Sequence, residues 1–131
     1  MTLLIRWAKF AAVGAMGSAL QLVALALLNG WRPGHYLVAS TIAIELALLH
    51  NFAWHALYTW RDRPGGSAGQ QFVRFHFSNG LVSMAGNLIL MRMLVGTLAV
   101  PVIAANALAI AACGFVNFWL GDTWVFATRR A

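Results

Sequence analysis

The residues between positions 50 and 63 combine amide, imidazole, aromatic and guanidinium groups within a short stretch. They are His50, Asn51, Trp54, His55, Tyr58, Arg61 and Arg63. Arginine can bind a phosphate through two parallel hydrogen bonds, whereas amide and aromatic groups suit the hydroxyls and faces of a sugar. Asn51 and His55 are four residues apart and share one face if the segment is helical. The stretch therefore predicts a headgroup site for a phosphate joined to a sugar.

A partly similar stretch closes the chain and contributes further candidates for the same site. Its members are Asn117, Trp119, Asp122 and Trp124, followed by Arg129 and Arg130. Asn117 would contact the sugar, and Arg129 would contact the phosphate together with Arg74 from the middle of the chain. Asp122 has two interpretations, an ion pair with a neighbouring arginine or a contact with the ligand. The residues leave both open.

The two stretches belong to an internal repeat with an offset of 66 residues. Asn51-Phe52 and Tyr58-Thr59-Trp60 recur as Asn117-Phe118 and Trp124-Val125-Phe126, Gly14 recurs as Gly80, and Gln21 recurs as Asn87. One offset that fits both ends of each half indicates a duplicated unit. We expect a single transmembrane domain over 1–131, with repeat 1 at about 6–63, a linker at 64–71 and repeat 2 at about 72–129.

Composition indicates what kind of scaffold positions these residues. The 131 residues are 61% hydrophobic and 9% charged, which leaves too few charges to coat a soluble domain. Four apolar stretches, at about 8–29, 35–58, 73–95 and 101–126, each reach the roughly 20 residues that cross a bilayer as a helix. Backbone groups in lipid must form their hydrogen bonds within the segment. These features predict an all-α integral membrane protein with four transmembrane helices, arranged as two helical hairpins.

The distribution of cations predicts the orientation of these helices. Basic residues flank the N-terminus, the central loop and the C-terminal tail: Arg6, Lys9, Arg61, Arg63, Arg74, Arg129 and Arg130. The opposite side holds only Arg32 and Arg92. Since cytoplasmic loops are enriched in Lys and Arg, both termini and the central loop are expected in the cytoplasm, so the two hairpins run in the same direction. The same cations could also hold lipid phosphates, which is a second interpretation of the pattern.

Polar residues within the apolar stretches form another set of candidates. They are Gln21, Glu45, Asn79, Ser83, Asn87 and Arg92. Glu45 is either a protonated structural residue or part of a proton or counter-ion site, with Arg92, Asn87 and Thr41 as candidate partners. Asn79, Ser83 and Asn87 are spaced by four and share a helical face. They predict either hydrogen bonding between helices or a polar route for a headgroup.

Several function classes have no residues to support them. Cys113 is the single cysteine, the four histidines are scattered, and no nucleotide-binding or catalytic-triad motif occurs. The chain is therefore not expected to be an enzyme, and no metal, cofactor or nucleic acid is expected to bind. A small multidrug exporter is also disfavoured, because those proteins usually place their membrane carboxylate in the first helix and some lack a strong charge bias.

These motifs resemble the GtrA-like family of small four-helix bacterial membrane proteins over nearly the whole chain. The resemblance rests on Lys9-Phe10, Val13-Gly14 and Asn51-Phe52 through Tyr58-Thr59-Trp60, and on Arg74-Phe75, Gly80, Asn87 and Asn117-Phe118 through Trp124-Val125-Phe126. The family pattern is roughly Asn-Phe-x-x-Asn-Arg-x-Trp-Thr-Phe at the close of the second and fourth helices. The chain departs from it with His55 and Gly121 at the second Asn, Ala56 and Asp122 at the Arg, and Trp60 for Phe.

The resemblance implies a role in cell-surface polysaccharide synthesis at the bacterial inner membrane. Family members are usually proposed to translocate a polyprenyl-phosphate-linked sugar, or to support the glycosyltransferase that makes or uses it. For this chain, translocation is the leading hypothesis, and an adaptor that recruits or orients a transferase is the alternative. The expected partners are the lipid-linked sugar, a membrane glycosyltransferase, the lipid bilayer and a second copy in a homodimer.

Overall fold

Helix dominates the computed structural model, which describes residues 1–63 and 66–128. The α-helices are α1 (Leu3–Trp31), α2 (Tyr36–Trp54), α3 (Ala68–Leu81), α4 (Asn87–Met91) and α5 (Val102–Leu120). π-Helical turns occupy His55–Thr59 after α2, Val82–Gly86 and Arg92–Thr97 on either side of α4, and Gly121–Val125 after α5. The expected phosphate ligand Arg129, its neighbour Arg130, and Pro64 and Gly65 of the expected linker lie outside the described residues.

Three helical segments of the described chain are long and apolar enough to cross a membrane: Leu3–Trp31, Ala68–Thr97 and Ala104–Val125. α2 and the π-helical turn after it form a fourth helix, which continues without a break from Tyr36 to Thr59. The prediction of an all-α integral membrane fold is therefore confirmed.

Two of the helices, α1 and α3, begin about five residues before the apolar stretches from which they were predicted. α1 begins at Leu3, where the hydroxyl of Thr2 accepts a hydrogen bond from a backbone amide in the first turn. α3 begins at Ala68, and the hydroxyl of Ser67 has the same role there. Such caps satisfy amides that have no partner within the helix, so a helix can start in the polar interface before the apolar run begins.

The chain divides into two compact units, Met1–Asp62 and Arg63–Ala131. In the first unit, α2 packs on α1 through Ala39, Ala43 and Ala47, which are spaced by four and buried. Small side chains let helices approach closely in lipid, where van der Waals packing replaces the hydrophobic drive of water. This contact places the end of α2 and the π-helical turn after it beside the beginning of α1.

The second unit uses matching positions for its own helix contact. α5 buries Ala105, Ala109 and Cys113, each 66 residues after one of the three alanines of α2. A Cβ atom on Gly86 would lie 2.9 Å from Cys113 Sγ, so only glycine fits there without a shift. This agreement supports the proposed duplication, and it arises from packing that each unit makes internally.

The helix from Ala68 to Thr97 differs from the other spans. Two π-helical turns, Val82–Gly86 and Arg92–Thr97, interrupt it. Its most apolar stretch contains no buried residue, whereas the corresponding stretch of the last span is 28% buried. A large part of its apolar surface is therefore available to lipid or to another protein.

Candidate functional site

An aromatic cluster of Phe10, His55 and Trp60 closes the first unit at the end that carries Arg6 and Asp62. The rings of Phe10 and His55 are stacked, with centroids 4.8 Å apart and planes 11° apart. Trp60 meets both rings edge-on, at 6.0 Å from Phe10 and 5.3 Å from His55. His55 and Trp60 are each only 2% exposed. The predicted sugar ligand His55 is thus a packing residue in this structure.

A hydrogen bond within the π-helical turn holds the His55 imidazole in place. His55 Nδ1 and Thr59 Oγ1 are 3.0 Å apart, and Thr59 is completely buried. The family pattern has Asn at position 55. In this chain the residue there is His55, whose imidazole ring stacks on Phe10. A headgroup could reach His55 only after this cluster opened.

The π-helical turn orients the aromatic residue that follows it. The backbone amide of Trp60 donates to the carbonyl of His55 at 2.9 Å, and the amide of Phe126 donates to the carbonyl of Gly121 at 2.9 Å. These bonds span five residues instead of four, so the following side chain is rotated relative to a regular helix. Phe126 thereby faces Phe75, with centroids 6.5 Å apart, as Trp60 faces Phe10.

Each unit also holds a cation against an aromatic ring beside this turn. Lys9 Nζ lies 4.3 Å from the centroid of the Tyr58 ring. The guanidinium of Arg74 lies 5.5 Å from the centroid of the Trp124 ring, and Arg74 Nη1 donates to the Trp124 carbonyl at 3.3 Å. A guanidinium has five N–H donors, so Arg74 retains donors for a phosphate after these contacts.

Arg6 forms an ion pair that sequence reasoning missed. Arg6 Nη2 lies 2.9 Å from Asp62 Oδ2, although the Arg6 residue is only 7% exposed. Partial removal from water alone raises the pKa of Asp62, but the hydrogen bond and positive charge of Arg6 outweigh this and hold that pKa below its usual 3.8. The two residues are 56 positions apart, so no local pattern signals the pair.

Replacing Arg6 by glutamine is expected to raise the pKa of Asp62 toward the ordinary aspartate value. Because the folded-state pKa is lowered, the pair contributes fully to stability above a pH of about 4, and its contribution is lost as the pH falls below that value. An NMR titration of the Asp62 carboxyl carbon in micelles measures this. Lys9→Gln removes the same charge from the same helix and is expected to leave the titration nearly unchanged. Equal titrations for Arg6→Gln and the parent would contradict the pairing.

Arg63 and Asp122 form the corresponding ion pair of the second unit. Arg63 Nη2 lies 3.1 Å from Asp122 Oδ1, and the guanidinium also donates to the backbone carbonyl of Asp122. Both side chains are less than one-fifth exposed. Of the two interpretations of Asp122, the structure shows the ion pair. Its carboxylate occupies the guanidinium that was expected to bind phosphate, while Arg61 is exposed.

Four of the predicted sugar ligands meet at the surface of the first unit. His50 Nδ1 lies 3.2 Å from Asn51 Oδ1, and the His50 ring lies 6.2 Å from the ring of Trp54. Trp54 in turn meets Tyr58 edge-on at 6.2 Å. Trp54 and Tyr58 are 44% and 40% exposed, so their faces are accessible. The amide of Asn51 lies against the backbone of Gly17, where a Cβ would come within 2.7 Å of Asn51 Cγ.

The polar stripe of the second unit faces α5. Asn117 Nδ2 donates to Ser83 Oγ at 3.1 Å, which joins the stripe to the predicted sugar ligand on α5. The amide oxygens of Asn117 and Asn87 are buried and make no hydrogen bond among the described residues. Asn79, one turn before Ser83, is half-buried. A buried acceptor without a donor costs about 1–3 kcal/mol, so these two oxygens are suited to a hydroxyl or water donor.

The remaining intramembrane candidates are distributed over both units. Gln21 is half-buried and Glu45 is exposed, and both belong to the first unit. Arg92 is exposed and belongs to the second unit, as does Asn87. The pairing of Glu45 with Arg92 or Asn87, and the pairing of Gln21 with Asn87, remain predictions.

Apolar helices that enclose polar side chains and end in aromatic and basic turns define a multi-pass membrane protein. A family model described as GtrA/DPMS, transmembrane domain, matches residues 9–130, and the chain belongs to this family. The resemblance noted in the sequence is therefore confirmed. No curated protein matches the chain. Membership implies a part in the handling of polyprenyl-phosphate-linked sugars, in a family of membrane translocation and accessory proteins that are generally not catalytic.

Proposed function

We propose that the protein moves a polyprenyl-phosphate-linked sugar across the bacterial inner membrane for cell-surface polysaccharide synthesis. The observation that carries this proposal is the pair of buried amide oxygens of Asn87 and Asn117, which accept no hydrogen bond from any residue that the structure describes. They belong to a line of polar groups inside helices that lipid surrounds. Natural interiors rarely leave such acceptors unsatisfied, so a donor such as a sugar hydroxyl suits them.

The chemistry of such a substrate fits this arrangement. Its polyprenyl tail is apolar and can stay in the bilayer, so only the sugar and phosphate need polar groups from the protein. A hydroxyl that leaves water without a new hydrogen bond costs about 1–3 kcal/mol by protein mutational data. A line of amides and hydroxyls at Asn79, Ser83, Asn87 and Asn117 lowers that cost at each step.

The proposed entry site lies on the first unit. The exposed cation Arg61 attracts the phosphate, and Asn51 with Trp54 and Tyr58 receives the sugar. His55, Arg63 and Asp122 are left out of this role, because packing or ion pairing already occupies them. The expected cytoplasmic position of both termini places this entry site on the cytoplasmic leaflet.

Replacing Asn117 by leucine is expected to slow translocation at least about tenfold. The loss of one hydrogen bond of about 1.4 kcal/mol along the route corresponds to that factor. The measurement uses purified protein in liposomes and a fluorescent polyprenyl-phosphate hexose, whose arrival in the outer leaflet is detected with an impermeant quencher. Asn106→Leu is the matched control, since Asn106 lies on the same helix and is exposed. Equal rates for the two variants would reject the proposed route.

The adaptor function is the second candidate, and the exposed third span favours it. This helix leaves Met84, Leu88 and Ile89 between 66% and 70% exposed, a surface on which helices of a membrane glycosyltransferase or of a second copy could pack. The liposome assay separates the two functions. An adaptor gives no acceleration over empty liposomes, and Asn117→Leu then leaves its association with a transferase unchanged.

A further inference from the structure

A groove opens at the hairpin end of the first unit, far from the proposed entry site. It is lined by Leu28, Trp31 and Arg32 of α1 and its C-cap, and by His35, Val38, Ala39 and Ile42 at the start of α2. Its volume is about 290 Å³. This is at the lower end of the range of about 300–1,000 Å³ for small-molecule sites, so the groove could hold part of a ligand and not a whole lipid.

The lining residues change from polar to apolar along the groove. Arg32 and His35 lie in the turn at its mouth, whereas Val38 and Ile42 follow along α2. From His35 to Ile42 the helix rises about 10 Å at 1.5 Å per residue. The groove therefore presents the Arg32 cation at the level of lipid headgroups and apolar side chains at the level of the first carbons of a chain. This order matches an anionic amphiphile in a bilayer.

The turn holds the arginine at its place in the groove. Gly34 has a φ of +92°, which only glycine adopts without strain, and this permits the tight reversal between α1 and α2. The guanidinium of Arg32 lies 5.6 Å from the centroid of the Trp31 ring, and Trp31 is 77% exposed. A tryptophan at this level anchors in the membrane interface, so the stacked guanidinium is kept near the lipid phosphates.

We propose that this groove binds one anionic phospholipid of the leaflet opposite the entry site, with its phosphate on Arg32 and the start of one acyl chain along Val38 and Ile42. A bilayer lipid fits better than a protein segment because the groove is graded from cationic to apolar over the depth of one interface. A phosphodiester accepts the paired N–H groups of arginine. The proposal does not depend on translocation, since a structural lipid would bind whether or not the protein moves a substrate.

The test measures phospholipid binding by native mass spectrometry of the full chain in a neutral detergent. Phosphatidylglycerol is expected to remain bound at low added concentrations, and phosphatidylcholine is expected to bind at least about tenfold more weakly, a difference of ~1.4 kcal/mol. Arg32→Gln should abolish this preference. Val38→Trp should weaken both lipids, because it fills the groove from a position that is 58% exposed and thus tolerates a large side chain.

Two controls make the outcome specific to the groove. Arg92→Gln removes an exposed cation that does not line it, and the preference for phosphatidylglycerol is expected to persist. Glycerol 3-phosphate, which has the anionic head and no chain, is expected to bind far more weakly than phosphatidylglycerol. The proposal is overturned if Arg32→Gln retains the preference, if Arg92→Gln removes it equally, or if glycerol 3-phosphate competes as well as the lipid. Translocation rates enter none of these outcomes, so the proposed function can fail independently.

Discussion

Replacing Trp60 by alanine is expected to destabilise the first unit by about 3 kcal/mol, the lower end of the range for Trp→Ala substitutions in soluble cores. Trp60 is 2% exposed and contacts both Phe10 and His55. The substitution leaves a cavity beside the stacked rings and removes the edge-on contacts with both of them. The effect is expected at the lower end because transfer from lipid into a protein core yields less free energy than transfer from water. Unfolding of the purified protein in mixed micelles, followed by circular dichroism, measures the change.

Trp7→Ala is the matched control for this substitution. Trp7 is on α1 in the same unit, but it is 46% exposed and makes no ring contact with the cluster of Phe10, His55 and Trp60. It is expected to change the free energy of unfolding by less than about 1 kcal/mol. Trp60→Phe restores the family residue and is expected to recover much of the loss. If Trp60→Ala and Trp7→Ala had equal effects, the cluster would not be the packing centre described here.

The helices and their polar stripe could be predicted from the sequence because both depend on short-range regularities. Length and hydropathy alone identify a span, and a spacing of four places Asn79, Ser83 and Asn87 on one face. The hydrogen bond from Asn117 to Ser83 shows that the stripe faces a neighbouring helix. The two amide oxygens without a hydrogen bond could not be predicted. Whether such an oxygen finds a donor depends on the distance between helices and not on residue type.

The π-helical turns and the ion pairs could not be predicted from the hydropathy of the sequence. The residues of His55–Thr59 and Gly121–Val125 are ordinary for a helix end, so no residue type marks the extra residue per turn, and the ring contacts of Trp60 and Phe126 that accompany it form only in three dimensions. The cation pattern suggests for Arg6 only a role in topology or in binding lipid phosphate, because its ion-pair partner lies 56 residues along the chain. A cation near a helix start is typical of many membrane proteins, so its burial could be recognised only in three dimensions.

The repeat also contains a shift that a single offset misses. Lys9 and Arg74 occupy matching places beside Tyr58 and Trp124, and they are 65 residues apart, not 66. Deeper in the helix the offset is 66. Gly17 contacts Asn51 in the first copy, and Ser83 contacts Asn117 in the second, and both members of the pair are shifted by 66 residues. The second copy thus has one additional residue before Ser83, next to the π-helical turn that begins at Val82. A π-helical turn accommodates an extra residue without ending the helix.

Adding a single methyl group at Gly17 or at Gly14 is expected to have effects of opposite sign. Alanine is preferred over glycine inside a helix by up to about 1 kcal/mol, so Gly14→Ala should stabilise the protein, because nothing lies within 4 Å of the new Cβ. Gly17→Ala should destabilise it by about 1–3 kcal/mol, since the Cβ would overlap the Asn51 side chain and force it away. Unfolding in mixed micelles measures both substitutions.

The same pair of variants tests whether Asn51 takes part in translocation. A displaced Asn51 amide loses its place beside His50, so Gly17→Ala is expected to slow translocation in liposomes as Asn51→Ala does. Gly14→Ala should translocate at the rate of the parent protein. If Gly17→Ala were destabilised and still translocated normally, Asn51 would contribute to helix packing alone. Equal stability of the two alanine variants would instead mean that α1 and α2 do not approach as closely as the Gly17 contact requires.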